Sequence, residues 1–288
     1  GEIAERIHEH IQASGGWLTK EDLARYVPRV LSPLMGKYRG VELAFTPGAT
    51  GGVTALQILN LLGQFPQERT GYTTATALHL RAEAVRHAFE DRLRLLGDGQ
   101  RVRAPWNGLT SVAYAAAQAK GIKPRGPRSN LPPPDPWAYD GAAPREESRP
   151  SHGVRRARTA SSSDCTTHIG VIDRQRNMVS LTNTAVGLFG SRLVSVIPQV
   201  LSNIIDVNDS PQAAMEAPRL HTEGTDLWVD DRVGPATLAS LKKMGHPVVP
   251  KGVSFGTFYF ARPIAIRITK QGLEAGLDPF SAASAAGI

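Results

Sequence analysis

Between Thr74 and Leu96 apolar side chains return every three or four residues. Leu78, Ala82, Val85, Phe89, Leu93 and Leu96 fall on one stripe, and Arg81, Arg86, Glu90 and Arg94 fall off it. That spacing predicts an amphipathic helix that lays its stripe on a sheet and ends at Gly97. Residues 2–13 and 52–64 (GVTALQILNLLGQ) carry helical patterns as well, YRGVELAFTP (38–47) reads as a strand, and GATGGV (48–53) is a glycine-rich turn into the next helix. The turn fits neither GxGxxG nor the P-loop spacing, so it is read as a device for tight packing rather than a phosphate cradle.

Further along, the pattern changes to runs of β-formers. THIGVID and MVSLTNT are separated by the polar RQRN, which predicts a hairpin. With 174–177 as its loop, Asp173 faces Met178, Val171 faces Ser180 and Thr167 faces Thr184, which sets Thr184 beside Thr166. IPQVLSNIID and PATLASLKKMG read as helices and PIAIRITK as a last strand; no internal repeat is visible. The helical and strand-rich regions are divided by residues 121–165, which hold eight prolines, including Pro132-Pro133-Pro134, and few aliphatic side chains. Such a stretch cannot repay the entropy of ordering a core, so three parts are expected: a helix-rich 1–120, a linker 121–165 and a strand-rich 166–288.

At 288 residues and 41% hydrophobic, the chain can bury a sizeable core. Its net charge of +7 suggests a nucleic-acid partner until the charge is located. Lys120 to Ala160 holds nine Lys/Arg against four acids, five of the seven net charges, and the remainder lacks a basic helix interleaved with aromatics. Nucleic-acid binding is therefore not expected. No run approaches the ~20 apolar residues of a membrane span, and GEIAERIHEHIQ is an amphipathic helix rather than a signal peptide. The chain opens on Gly1 instead of Met, so a natural start upstream is expected, and any export signal with it. Cys165, the single cysteine, excludes an intrachain disulfide framework and a multi-cysteine zinc site. Neither a cofactor nor a metal is expected.

The chemistry concentrates where the linker meets the strand, at SSSDCTTHIGVID. A cut before Thr166 would give this residue both a nucleophilic hydroxyl and an α-amine able to serve as its general base, with the amine titrating near ~7.7–8. The same hydroxyl can attack the Cys165 carbonyl and convert the Cys165–Thr166 amide to an ester that water opens. Cys165 has no other special feature, and His168 and His221 are read as structural, because a histidine without a placed partner is more often a hydrogen-bonding residue than a ligand.

TTHIGVIDRQRNMVSLTNTAVGLFGS resembles the start of the small subunit of a gamma-glutamyltransferase (gamma-glutamyltranspeptidase). GEIAERI…GGWLTKEDLARY, YRGVELAFTPGATGGVTALQILNLL, ALHLRAEAVRHAFEDRLRLLGD and SPQAAMEAPRLHTEG resemble other parts of that family in the same order. The resemblance implies an α+β fold, a four-layer αββα sandwich of the N-terminal-nucleophile hydrolase type, here incomplete. It implies a precursor that cuts itself between Cys165 and Thr166 into two associated chains, a heterodimer. Thr166 is then the nucleophile that takes a gamma-glutamyl group from glutathione or a related amide and passes it to water or an amino acid, and Thr184 the threonine that orients it. A periplasmic or extracellular location goes with the family. An amide or beta-lactam acylase of the same fold and a degenerate, non-catalytic homologue are the alternatives.

The departures from the family pattern bear on activity. Val186 stands where the family has an asparagine that bonds the substrate carboxylate. After LFGSR, read as a strand, the family continues with an Asn-Asn segment carrying an acidic residue, a Ser-Ser pair and a Gly-Gly turn that supplies the oxyanion hole. Here Val194 runs directly into SVIPQVLSN, so a helix is expected from near Ile197 and an open site beside Thr166. The first part of the large subunit, with its carboxylate-binding arginine, has no counterpart either, and a weak enzyme is expected.

Overall fold

A computed structural model describes the chain except for Ala49, Thr70, Thr73, Asp98, 100–101, 142–165, 185–186 and Ile288; for 166–167, 183–184, 187–191 and 193 it describes the backbone alone. The described chain divides into two compact units, Gly1–Ser32 and Pro33–Ile288.

The first unit is a helix pair, α1 (Glu2–Ala13) and α2 (Lys20–Arg25). Thr19 starts α2 with a reciprocal cap: its hydroxyl accepts from Asp22 N at 3.1 Å, and the Asp22 carboxylate accepts from Thr19 N at 2.9 Å. Gln12 donates to Leu18 O and Lys20 pairs with Glu5, which ties the two helices together. Neither helix buries a residue, as expected for so short a segment, which cannot enclose a core alone.

The second unit opens with β1 (Leu34–Tyr38) and β2 (Val41–Phe45), an antiparallel hairpin rather than the single strand expected over 38–47. Its turn is Arg39-Gly40, with φ of 50° and 86°; positive φ at both central residues matches the twist of a hairpin. Arg39 is held in this conformation by donating to Phe65 O at 2.7 Å and to Asp206 at 3.1 Å.

Every residue of α3 (Gly52–Leu62) is buried. A Cβ on Gly52 would stand 2.2 Å from Thr46 O, so the glycine-rich turn serves close packing, as the sequence suggested. Thr74 caps α4 (Ala75–Leu95) by accepting from Ala77 N at 3.1 Å. Leu78, Ala82, Val85 and Phe89 lie in the core, and the stripe ends there, because Leu93 is exposed. Arg81 and Arg86, placed off the stripe by periodicity, are buried too, since the helix is packed nearly all round. Arg81 meets Ser202 Oγ at 2.9 Å and Asn203 Oδ1 at 2.6 Å, and burial pulls the pKa of its guanidinium down to about 10. Arg86 forks onto Glu83 at 3.2 and 2.9 Å.

Two short helices follow, α5 (Trp106–Thr110) and α6 (Val112–Ala119). The proline-rich stretch expected to be linker from residue 121 is anchored as far as 141. Arg128 N donates to Met244 O at 2.7 Å, Ser129 N to Glu83 at 3.0 Å, and the Asp140 carboxylate accepts from Gly108 N at 2.9 Å. Backbone hydrogen bonds to the body, the Asp140 carboxylate and the buried Ile122 hold this stretch in place.

The remaining elements are β3 (Thr166–Ile172), β4 (Met178–Thr184), α7 (Gly187–Asp206), α8 (Pro211–Glu216), β5 (Leu220–His221), β6 (Leu227–Asp230), α9 (Pro235–Lys243), β7 (Val248–Lys251), β8 (Ile264–Thr269) and β9 (Gly272–Leu277). LFGSR is helical, not a strand: α7 runs unbroken from Gly187 through Val194 and Ser195, ten residues ahead of its expected start at Ile197. The β strands form four small sheets, β1-β2, β3-β4, β5-β6-β7 and β8-β9. All pairs are antiparallel except β6–β7, which is parallel through the α9 crossover. The class is α+β. One core cluster joins Leu59, Leu78 and Phe89 from before residue 142 with Val194, Leu220 and Leu241 from after 165. No described helix is long and apolar enough to cross a membrane.

Candidate active site

The β3–β4 hairpin is closed by Asp173. Its N–H donates to Asn177 O at 3.1 Å, its carbonyl accepts from Arg176 N at 3.1 Å, and its carboxylate accepts from Asn177 N and Nδ2, both at 2.8 Å. Those bonds hold the Asp173 carboxyl below the usual carboxylate range. Arg176, at φ 68°, completes a three-residue loop of the turn-plus-left-handed type. The loop is thus 174–176 rather than the expected 174–177, because Asn177 is drawn into pairing with Asp173. That single residue shifts the whole register: Ile172 faces Met178, His168 faces Thr182, and Thr166 faces Thr184 directly.

Alternation along the ladder from the hydrogen-bonded Asp173–Asn177 pair makes Thr166 and Thr184 a non-hydrogen-bonded position, where facing Cα atoms typically approach to ~4.5 Å. The two threonines singled out by sequence are therefore brought together by the backbone; their side chains, like Cys165 and Val186, lie outside the described residues. The same face of the hairpin carries His168, Ser180 and Thr182. His168 Nδ1 lies 2.7 Å from Thr182 Oγ1 and its Nε2 3.3 Å from Ser180 Oγ, and burial lowers the imidazole from its ordinary value. A Cβ on Gly170 would touch Ile266 and Ile264 at 3.5 and 3.6 Å, which places that part of the face against β8. On the opposite face Ile169, Val171, Val179 and Leu181 are each half exposed.

Three residues beyond Thr184, at Gly187, α7 begins, and its middle is clamped to β5. Gln199 donates to Leu220 O at 2.8 Å and accepts from Leu220 N at 3.0 Å. Ser195 Oγ lies 2.8 Å from His221 Nδ1, and His221 Nε2 lies 3.4 Å from Glu223. The arrangement has the composition of a hydrolytic triad, but Ser195 is 0% and His221 3% exposed, so no substrate reaches them. Both lie within the packing of α7 against β5, and His221 has here the partners that the sequence did not place for it.

Sequence periodicity gave no sign of the buried polar groups of α4. Asp91, fully buried, accepts from Tyr114 at 2.6 Å and Gln57 at 2.7 Å. His79 Nδ1 and His246 Nε2, 167 positions apart in sequence, lie 2.7 Å from each other. Among the described residues no group of three or more His, Cys, Asp and Glu is arranged to hold a metal ion. Two small cavities are lined by described residues, one by Arg219, Asp230, Arg232 and Asp278 among others, the second by Arg86, Arg128 and His246 among others; neither includes a hairpin residue.

The model of the gamma-glutamyltranspeptidase family matches this chain over residues 1–197 and again over 190–288. The two stretches overlap at 190–197, on the part of α7 where the sequence passes from LFGSR to SVIPQ. The glutathione hydrolase proenzyme of Escherichia coli (strain K12) is 34% identical over 205 residues, 70% of this chain and 32% of that protein. The Acylase ACY 1 proenzyme of Pseudomonas sp. (strain SE83) is 26% identical over 309 residues, 86% of this chain and 51% of that protein. The chain thus spans about a third to a half of the length of these curated relatives. The crystal structure of cephalosporin acylase from Bacillus halodurans superposes on 98% of this chain and 57% of its own with a TM-score of 0.76 at 23% identity, a likeness of fold. Matched from its first residue to its last by the family model, and carrying the α+β fold expected of it, the chain belongs to the gamma-glutamyltranspeptidase family.

Proposed function

We propose that Thr166 is an N-terminal nucleophile, freed by self-cleavage, that transfers the gamma-glutamyl group of glutathione and related amides to water or an amino acid. The observation that carries this reading is the register of β3 and β4, which sets Thr166 opposite Thr184 in a chain of this family. In the maturation step the Thr166 hydroxyl adds to the Cys165 carbonyl, the amide C–N bond breaks, and water opens the ester to leave a Cys165 carboxylate and a free Thr166 amine. In turnover that amine accepts the hydroxyl proton as Oγ attacks the acyl carbon, the departing amine takes the proton, and water or an amino acid then receives the acyl group. Residues 1–120 and 166–288 would be the bodies of the two chains, with 121–165 holding the cut. The core cluster shared by residues from both sides supports a heterodimer that stays together after scission. A periplasmic or extracellular site of action is part of the same proposal.

Turnover should be weak. Because α7 runs unbroken through Val194 and Ser195, the acidic residue, serine pair and glycine turn of the family have no place between LFGSR and SVIPQ. Losing one oxyanion donor alone costs about 10²–10³ in turnover. The acylase relatives favour a second reading, in which the same nucleophile cleaves an amide or beta-lactam side chain. A panel of gamma-glutamyl and acyl amides with matched leaving groups, run on the parent and Thr166→Ala, tests both. Thr166-dependent release from the gamma-glutamyl anilide, well below that of a full-length relative, is the expected result. Preference for the acyl amides would favour the acylase, and release indifferent to Thr166 would leave a non-catalytic homologue.

A further inference from the structure

The cavity beside α4 is walled by Arg86, Arg128, Thr222, Thr225 and His246 and has room for about one sphere of water size, about 10 Å³. No carboxylate lines it. Both oxygens of Glu83 are already engaged, Oε1 by Arg86 Nε and Oε2 by Arg86 Nη2 and Ser129 N, and Glu90 stands 3.5 Å from Arg86 Nη1. Arg128 has neither an ion pair nor a side-chain hydrogen bond among the described residues, and its Nε is buried without an acceptor. An unanswered buried guanidinium N–H costs the full desolvation of a charged donor, so a partner from outside the protein is called for.

The histidines do not supply that partner. His79 Nε2 donates to Lys123 O at 3.1 Å, its Nδ1 lies 2.7 Å from His246 Nε2, and burial lowers the pKa of both rings, which favours their neutral forms. His87 Nε2 accepts from Arg86 at 3.0 Å and is likewise neutral. Around the cavity there remain two guanidinium groups and two hydroxyl side chains. The Oγ of Thr222 accepts from Gly224 N at 3.1 Å, which leaves its proton free to donate. The nearest carboxylates, Glu83 and Glu90, stand beside Arg86 and act on Arg128 from outside the lining, and the space suits a single small ion.

We propose that this cavity binds a monatomic inorganic anion of the halide class, held by Arg128 and the threonine hydroxyls next to Arg86. The anion supplies the acceptor Arg128 Nε lacks and screens the two guanidinium groups from each other, joining α4 to the 121–141 stretch and to the segment after β5. This inference stands apart from the nucleophile proposed above and does not depend on it.

Crystals of the full chain grown in sodium bromide test it by anomalous scattering, and thermal unfolding in sodium chloride against sodium gluconate at equal ionic strength tests it in solution. A bromide peak within hydrogen-bonding distance of Arg128 is expected, with a melting temperature higher in chloride by about 2 °C for an anion at several times its dissociation constant. Arg128→Gln should melt alike in both salts. An ordered water in place of bromide, or a parent protein indifferent to the choice of salt, would overturn the proposal; should the variant not fold, the bromide experiment on the parent decides alone.

Discussion

The α3–α4 helix pair and the β3–β4 hairpin are held together in different ways. All eleven residues of α3 are buried, and α4 is enclosed so fully that Arg81 and Arg86 answer their charges inside the protein. In the hairpin every described side chain from Asp173 to Leu181 is exposed, and the order comes from the ladder and the Asp173 loop. Under the proposal that Thr166 is a nucleophile, it must be reached by substrate and must let a chain end depart, which an enclosed helix such as α3 would forbid. The two regions should accordingly respond to different insults.

The largest effect is expected from opening the helix pair. Leu59, 0% exposed, should lose about 2–5 kcal/mol of stability as Leu59→Ala in urea titrations, from lost burial plus the cavity left behind. The same truncation at Leu181, 54% exposed, should stay within about 0.5 kcal/mol. Equal losses at the two sites would erase the distinction.

Acid should act next. Burial and the neighbouring Arg86 hold the pKa of His87 down at about 4, burial and His79 hold that of His246 down at about 4, and burial lowers His79 as well. For a base whose folded value lies below its unfolded one near 6.5, the stability is whole above 6.5 and is lost as pH falls toward 4. By pH 5 the loss is roughly 2 kcal/mol for each of His87 and His246, with the hairpin's exposed groups adding little. A urea midpoint that holds steady from pH 7 to 5 would contradict this, and His87→Gln should flatten the slope.

A smaller effect belongs to the join between the two regions. Ser195→Ala removes the hydroxyl beside His221 Nδ1 and should cost about 1–2 kcal/mol, measured by the denaturation midpoint. If Ser195 instead acted as a nucleophile, the variant would keep its stability and lose turnover.

What the sequence could show followed from periodicity and turn chemistry. The stripe of α4, the buried α3 and the glycine-rich turn at Gly52 are legible because each depends on neighbours in the chain. The register of β3 and β4 differs by one residue from the expected one, because RQRN reads as a four-residue loop until Asp173 is seen to bind Asn177. LFGSR reads as a strand from its family context, whereas joined to SVIPQ it extends a helix. The partnership of His79 and His246 and the anchoring of residues 121–141 through Glu83 and Met244 leave no local trace, as they depend on contacts between distant segments. Of the candidate site, the sequence singles out Thr166 and Thr184, and the backbone supplies their direct opposition.

The mass of the purified protein tests the nucleophile most directly. The account predicts two fragments from the parent chain, one ending at Cys165 and one beginning at Thr166, and a single uncut species from Thr166→Ala. A parent protein that retains the full 288-residue mass under native conditions would contradict it, since without scission Thr166 has no free amine to act as its base.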